Sequence, residues 1–304
     1  HALGGFRGPW VLLPGNHDAA QPGGIWERVR NFAPAENVIV ADARHPIVLA
    51  DGRLAILPAP LVRRHEIEDL TEWWDAADTP ARACRIGLAH GSVTNRLPEA
   101  AESPNPIADD RAERARLTYL ALGDWHGTIE IAPRTWYAGT PEPDRFKDND
   151  SGNALIVTIE SADTAPRVER VRIARYNWGQ IAHTLLADGD LEGLDAALKG
   201  LGTPFDSHVV ALALEGTLGL AAWEGLEALL ARWSGQLRAL RCDRTKLVAE
   251  PSADDLDAID QGGFVRAAID ALQQRAHDPA DAEAATARDA LRLMYALHRQ
   301  SAGR

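Results

Sequence analysis

The sequence predicts a layered α/β fold with a second, smaller α/β module and C-terminal helices. Up to about residue 175, short β-rich apolar runs alternate with polar loops and helical stretches. Residues 11–13 and 86–89 are continuously apolar, as strands covered on both faces are. A new strand and helix rhythm begins near residue 180. We therefore predict domains at residues 1–175, 176–250 and 251–304.

The predicted elements follow from this patterning in chain order. Strands of the first domain are predicted at residues 10–13, 38–41, 46–50, 54–57, 85–89, 119–122, 135–138, 155–160 and 168–173. Asp51-Gly52, between two of these strands, is typical of a hairpin turn. The second module is predicted as strand 183–187, helix 191–201, strand 209–214, helix 222–233 and strand 237–242. Helices are predicted at residues 264–276 and from Asp278-Pro279 to near residue 300.

Composition excludes several classes of protein. The 304 residues are 45% hydrophobic and 25% charged, which is typical of a globular protein. No apolar run approaches the roughly 18 residues that span a bilayer, so no membrane partner is expected. Cys84 and Cys242 lie far apart without ligand spacing, which argues against a disulfide scaffold and favours the cytoplasm. The net charge of −12 predicts that any DNA contact is local.

Polar residues follow three predicted strands at the point where each strand ends. Residues 10–13 run into Pro14-Gly15-Asn16-His17-Asp18, and residues 85–89 run into His90-Gly91. Residues 119–122 run into Gly123-Asp124-Trp125-His126. Because ligands bind at the carboxyl ends of strands in open α/β sheets, we expect these side chains at one sheet edge.

Amide, imidazole and carboxylate ligands suit a borderline divalent ion such as manganese, iron or zinc. Two such ions about 3.5–4 Å apart would activate a hydroxide and bind a phosphate, which predicts phosphoester hydrolysis. His17, next to a candidate ligand, is a candidate general acid, and Asp18 is expected to keep it protonated. Histidines elsewhere in the chain show no ligand spacing.

These motifs resemble those of the calcineurin-like metallophosphoesterases. The stretch from Tyr119 to His126 and the later Tyr-Ala-Gly-Thr-Pro-Glu-Pro are similar to SbcD-type DNA repair exonucleases, over roughly residues 8–175. The resemblance implies that Asn16, His90 and Asp124 hold one of two metal ions, most simply manganese. It implies that His126 holds the other ion and that His17 acts on the scissile phosphate.

The chain departs from the family pattern at two points. Asp124 stands where the family usually has the first histidine of Gly-His-x-His, and a carboxylate can bind the same ion. The Asp-x-His and Gly-Asp-x-x-Asp motifs that precede Gly-Asn-His-Asp in the family are not in this sequence. We therefore expect an N-terminally incomplete domain that holds at most one ion tightly.

Other residues carry weaker signals for substrate or partner contact. Trp125 either lines the site or packs in the core, and the resemblance adds Thr140 as a substrate-binding residue. For Trp73-Trp74 a core role is favoured. Arg63-Arg64-His65 either meets phosphates or forms a solvated loop. An apolar stripe in the last predicted helix either packs within its own domain or docks a partner; it comprises Leu291, Met294, Tyr295 and His298.

The resulting hypothesis is metal-dependent hydrolysis of DNA phosphodiesters by a nuclease subunit. The resemblance implies DNA and an SbcC-like coiled-coil ATPase as partners, and it leaves room for a homodimer. Two alternatives stay open. One is a phosphodiesterase or phosphatase for small nucleotides on the same scaffold, and the other is a non-catalytic scaffold that has lost half of its metal site.

Overall fold

The computed structural model describes residues 5–32, 35–97, 104–146, 149–187, 189–249, 263–278 and 280–302. The chain forms two units, residues 1–174 and 175–304, and each is described by itself. The division lies one residue before the boundary that the sequence predicts. The second predicted boundary, between residues 250 and 251, lies outside the described residues.

Each of the nine predicted strands overlaps a strand of the structure, and three further strands were not predicted in the first unit, whose described residues form twelve strands and two short helices. They are β1 (Trp10–Leu12), α1 (Ile25–Asn31), β2 (Val38–Val40), β3 (Ile47–Leu49), β4 (Leu54–Ala59), β5 (Cys84–His90), β6 (Ser92–Val93), β7 (Pro106–Ile107), α2 (Arg111–Arg114), β8 (Tyr119–Gly123), β9 (Ile129–Ala132), β10 (Thr135–Tyr137), β11 (Asn153–Thr158) and β12 (Arg167–Arg172). The predicted hairpin at Asp51-Gly52 is confirmed, with both residues at positive φ between antiparallel β3 and β4.

A six-stranded mixed sheet forms the centre of this unit, in the order β3-β4-β5-β8-β10-β9. Its four inner strands β4, β5, β8 and β10 are parallel, and the outer strands β3 and β9 are antiparallel to their neighbours. The mixed sheet with helices confirms the α/β class. Because the inner strands are parallel, Ala59, His90, Gly123 and Tyr137 end at one side, the carboxyl edge. Leu54, Cys84, Tyr119 and Thr135 begin at the opposite side, the amino edge.

The core of the first unit packs on this sheet. Leu57 of β4, Leu120 of β8 and Tyr137 of β10 are buried in one hydrophobic cluster. The short 3-10 helix Glu72–Ala76 contributes Trp74, which is fully buried, while Trp73 packs beside it half-exposed. The core role favoured for this tryptophan pair is therefore confirmed for Trp74.

The prediction that residues 11–13 are covered on both faces is wrong. In the described part of the chain, β1 pairs only with β2, in a parallel two-stranded sheet, and residues 11–13 are half-exposed. The same prediction for residues 86–89 holds for one face only: Gly87 and Ala89 are buried, but Ile86 and Leu88 on the other face of β5 are half-exposed. An apolar run reports the chemistry of a strand but not the number of layers that cover it.

The second unit begins with a three-stranded parallel sheet in the order β13-β14-β15. Its elements are β13 (Asn177–Leu185), α3 (Asp190–Lys199), β14 (His208–Leu218), α4 (Leu220–Gln236) and β15 (Ala239–Ala249). Leu194 of α3, Leu212 of β14 and Trp233 of α4 are buried in one cluster. The predicted alternation of strands and helices is confirmed.

All three of these strands are longer than the sequence predicts. The inward positions of β13 are Gly179, Ile181, His183 and Leu185, so a glycine and a histidine interrupt the apolar alternation. The strand β15 continues through the charged residues Asp243 and Arg244, which resemble a loop in the sequence. It is an edge strand, where charged side chains stay in solvent.

The chain continues with helices α5 (Gly263–His277) and α6 (Ala284–Ala302). Leu291 of α6 is buried against Ile269 of α5, and Met294 packs at the border of the same cluster. This part of the predicted stripe is therefore used in the chain's own packing. The side chains of Tyr295 and His298 lie outside the described residues.

Within the described residues, no helix combines the length and the apolar character needed to cross a membrane.

Candidate active site

The turn after β1 places Asn16 and His17. Pro14 and Gly15 are buried, and Oδ1 of Asp18 accepts the backbone N–H of Gly15 at 2.7 Å, which closes the turn. Asn16 is half-buried and His17 is exposed. The carboxylate of Asp18, expected to act on His17, is thus occupied with the backbone of the turn.

Three of the predicted ligands meet at the carboxyl edge. Nε2 of His90 donates to Oδ1 of Asn16 at 3.1 Å, and Nδ2 of Asn16 donates to Oδ1 of Asp124 at 3.0 Å. The same Asp124 oxygen lies 3.5 Å from His90 Nε2. Residues that are 74 and 108 positions apart in sequence therefore form one polar cluster, which we call the trio.

Glycines on two strand ends hold the His90 ring. A Cβ added at Gly15 would lie 2.8 Å from Cε1 of His90, and one added at Gly123 would lie 2.8 Å from its Nδ1. Both distances are well below carbon–carbon or carbon–nitrogen contact. The glycines of the two motifs thus leave the space that the imidazole fills.

The segment after His90 is fixed from behind by Tyr137. Its buried hydroxyl donates to the carbonyl of Gly91 at 2.7 Å and accepts the N–H of Val93 at 3.0 Å. Burial raises the pKa of Tyr137, so the phenol stays protonated. This support was not found in the sequence, because the tyrosine is 46 residues from Gly91.

Asp124 has an unusual backbone conformation. Its φ is +100°, a region that residues with a Cβ rarely adopt. Such conformations cost free energy and are concentrated at functional positions. Here the turn directs the carboxylate of Asp124 to Asn16 and His90 immediately after β8 ends.

His126 is paired with a carboxylate that the sequence analysis missed. Its Nδ1 donates to Oδ2 of Asp144 at 2.7 Å, and Arg145 binds the same carboxylate at 2.9 Å. The hydrogen bond from Arg145 and the charge of His126 lower the pKa of Asp144 against the opposing effect of burial. Ligating histidines commonly donate their second nitrogen to a carboxylate, and the His126–Asp144 pair has this arrangement.

Asp144 directly follows the Gly-Thr-Pro-Glu-Pro segment. Its separation of 18 residues from His126 matches no motif, so the sequence does not indicate that the two side chains are paired. The signal available in the sequence was the segment itself.

The cleft beside the turn has a volume of about 460 Å³. Its lining includes Asn16, His17, Asp18 and Arg64. A volume of this size accommodates a ligand of nucleotide dimensions. Arg64 of the basic cluster, for which two roles were open, is thus placed at the same opening as His17.

The two predicted substrate-binding residues make contacts within the chain. Trp125 is half-buried and packs against the core cluster of the first unit. The backbone N–H and the hydroxyl of Thr140 both donate to the carbonyl of His126, at 2.9 and 3.3 Å. Thr140 therefore supports the backbone that carries His126.

The trio fits a divalent ion by its chemistry and its spacing. Ligand atoms around an ion at about 2.1 Å lie about 3.0 to 3.4 Å apart, for octahedral or tetrahedral geometry. Around His90 Nε2, the 3.1 Å separation from Asn16 lies in that range and the 3.5 Å separation from Asp124 lies just above it. Among the described residues, no group of three or more histidine, cysteine or acidic side chains could hold a metal ion. The trio has two such side chains and an amide, so it suits one ion held with modest affinity.

Comparison with known proteins adds no assignment: no family model matches this chain, and no curated protein matches it.

Proposed function

We propose that the chain is a metal-dependent phosphodiesterase that hydrolyses DNA, on a calcineurin-like metallophosphoesterase domain within residues 1–174. The observation that carries the proposal is the convergence of Asn16, His90 and Asp124 at the carboxyl edge, beside a cleft that His17 and Arg64 line. The resemblance of these segments to SbcD-type exonucleases supports the same assignment.

The trio would hold the first ion, through Oδ1 of Asn16, Nε2 of His90 and a carboxylate oxygen of Asp124. The second site would use Nε2 of His126, which Asp144 orients. When bound, a divalent ion such as manganese neutralises phosphate charge and activates a water molecule for attack. Binding requires the Asn16 amide to turn from Asp124, so the hydrogen bonds within the trio are exchanged for bonds to the ion.

His17 is placed to transfer a proton. It is exposed at the cleft and adjacent in sequence to Asn16, so a phosphodiester bound against the trio would lie beside its imidazole. An imidazolium can donate a proton to the leaving oxygen near neutral pH. His17 therefore acts on the substrate and does not hold the ion.

Arg64 would contact the oxygens of the substrate phosphate from the other side of the cleft. Its loop is fixed by Asn105, whose Oδ1 accepts the N–H of Glu66 at 2.7 Å and whose Nδ2 donates to the carbonyl of Arg64 at 3.3 Å. The carbonyl of Asn105 also accepts the N–H of Ser92. Asn105 thus connects the Arg64 loop to the segment that directly follows His90.

Hydrolysis of small nucleotides is the second candidate. The net charge of −12 and the cleft volume of about 460 Å³ favour a small substrate over a long polyanion. A coiled-coil ATPase partner belongs to the first candidate and is proposed with it. Cleavage of DNA but not of a nucleoside cyclic phosphate by the same preparation supports the first candidate, and the reverse supports the second.

The proposal is tested by hydrolysis of an end-labelled DNA oligonucleotide with added Mn²⁺, together with metal analysis of the same protein. We expect His90→Ala to lose both metal and activity. We expect His17→Ala to keep the metal and to lose roughly 100-fold or more in kcat. The control is His45→Ala, which removes an exposed histidine elsewhere in the first unit.

Equal metal loss in His17→Ala and His90→Ala would show that His17 is a ligand. Wild-type protein that binds Mn²⁺ but cleaves neither substrate would support the scaffold alternative and refute the catalytic proposal.

A further inference from the structure

A second cleft, of about 610 Å³, opens at the amino edge of the central sheet. Its lining includes the segments that lead into β5, β8 and β10, at Ala83, Leu117 and Arg134. His90 and Asp124 follow the opposite ends of β5 and β8. Five residues separate Arg85 from His90 along β5, which corresponds to about 16 Å. This arginine cleft, which contains Arg82, Arg85, Arg116 and Arg134, is therefore distinct from the candidate active site.

Arg85 is the buried arginine of this cleft. Its guanidinium donates to the carbonyls of Trp74, Ala77 and Ala115 at 2.6 to 3.1 Å, and to the hydroxyl of Thr79 at 3.0 Å. All four acceptors are uncharged, and within the described residues no carboxylate forms a salt bridge with it. Burial, followed by the charge of Arg116, lowers the pKa of Arg85, and the charge of Asp75 opposes this only in part. A buried cation is normally neutralised by an opposite charge.

The other three arginines of the cleft also form no salt bridge among the described residues. Arg134 donates to the carbonyls of Thr118, Asp163 and Thr164. Arg82 and Arg116 are exposed, and both have left-handed backbone, with φ of +64° and +50°. Across the part of the chain that the structure describes, none of the four forms a salt bridge. The carboxylates that line the cleft, Asp78, Glu113 and Asp163, are all exposed.

We propose that the arginine cleft binds a small anion that carries phosphate groups. Guanidinium groups match phosphate oxygens with paired N–H donors, and the exposed Arg82 and Arg116 can present such pairs at the opening. Arg85 and Arg134 donate most of their N–H groups to the chain and contribute positive charge. Four arginines against three rim carboxylates leave a positive balance, and the positive charge extends to the buried Arg85. The volume is sufficient for a nucleotide or for inorganic pyrophosphate, whose shared chemistry is the phosphate chain.

The test is isothermal titration of the full chain with pyrophosphate in EDTA, which removes any metal-dependent binding at the carboxyl edge. We expect saturable binding of one pyrophosphate per chain. Arg82→Gln and Arg116→Gln, both exposed and outside the hydrogen bonds of Arg85, should each weaken Kd about tenfold with unchanged circular dichroism and Tm. Arg167→Gln, an exposed arginine on β12, is the matched control for loss of one charge.

Three results would overturn the proposal: no saturable binding, binding that both arginine variants leave unchanged, or equal weakening in Arg167→Gln. Arg64→Gln separates this site from the active-site cleft, because it should leave pyrophosphate binding intact. ADP in the same assay distinguishes the sources. If ADP binds more tightly than pyrophosphate, the ligand of the cleft is a nucleotide. If ADP binds equally or more weakly, the ligand is the inorganic anion.

Discussion

The two edges of the central sheet carry opposite kinds of polar group. At the carboxyl edge, Asn16, His90 and Asp124 bind one another through side-chain hydrogen bonds. At the amino edge, Arg85 and Arg134 bind backbone carbonyls and extend their positive charge toward a cleft. The two ends of the same parallel strands thus carry the proposed metal site on one side and the proposed anion site on the other.

The edges also differ in what holds the side chains. Each side chain of the trio ends or directly follows a strand or its turn, inside a short motif, although the glycines that make room for His90, Gly15 and Gly123, are distant from it in sequence. Arg85 is held by carbonyls 8 to 30 residues away, none of which belongs to a recognisable motif. A site of the first kind is visible in a sequence, and one of the second kind is not.

The largest effect is expected from Arg111. It binds the connecting segment, residues 60–83, which runs from the end of β4 at the carboxyl edge to the start of β5 at the amino edge. This fully buried arginine donates to Asp69 at 2.9 Å and to Asp75 at 3.0 Å. We expect Arg111→Met to lower the free energy of unfolding by roughly 3–5 kcal/mol, because the partly buried Asp69 loses its guanidinium partner and Asp75 keeps only the exposed Arg114. Urea denaturation followed by tryptophan fluorescence measures the loss.

Arg114→Met is the matched control for Arg111→Met. Arg114 binds the same Asp75 at 3.0 Å, but from an exposed position on the same helix. Exposed ion pairs contribute about 0–1 kcal/mol, so its loss should be small. Equal destabilisation by the two variants would refute the view that burial makes Arg111 the connection between the edges.

A smaller effect, confined to the carboxyl edge, is expected from Gly123→Ala. The new methyl group would lie 2.8 Å from Nδ1 of His90, so the imidazole must move by several tenths of an ångström. A misplacement of about 1 Å can cost about 100-fold in rate, so a loss of roughly 10-fold is expected here, and Mn²⁺ affinity should fall with it. Hydrolysis and Mn²⁺ titration measure both effects, and pyrophosphate binding at the amino edge should not change.

The control for Gly123→Ala is Gly179→Ala on β13, where an added Cβ meets no atom within 4 Å. If Gly123→Ala binds Mn²⁺ as tightly as the wild type does, the close approach of Gly123 does not position His90.

Much of the fold could be predicted because its signals are local. The apolar runs gave the positions of β5 and β8, and the residues that follow them gave His90 and Asp124. Whether one or both faces of residues 11–13 are covered was not predictable, because this depends on the sheet that β1 joins and on what packs against it. The strand β15 was predicted too short because solvated charges at a sheet edge resemble a loop.

Within the candidate site, the convergence of Asn16, His90 and Asp124 was expected from the parallel strand ends. The groups that support them were not. Asp144 orients His126, Tyr137 holds Gly91, and Asn105 holds the loop of Arg64. Each acts through a hydrogen bond to a residue 18 to 46 positions away, and single residues of these common types carry no pattern before the chain folds.

The smallest effect is expected from acid, through Asp69 on the connecting segment. Burial raises the pKa of this carboxyl, but hydrogen bonds from Thr71, Ala108 and Arg111 outweigh it and leave the pKa below 3.8. As the pH falls, the unfolded chain therefore binds a proton at this carboxyl before the folded chain does. The stability that Asp69 contributes is complete above about pH 5 and is lost as the pH falls through the lowered pKa. Asp69→Asn does not titrate at this position. The difference in unfolding free energy between wild type and Asp69→Asn should stay constant from about pH 7 to 5 and shrink toward about pH 3. Asp109→Asn, on an exposed carboxylate that lies 3.6 Å from Arg96, is the control and should show a small difference. A wild-type advantage over Asp69→Asn that is the same at pH 3 as at pH 7 would mean that the carboxylate charge does not stabilise the connection between the two edges.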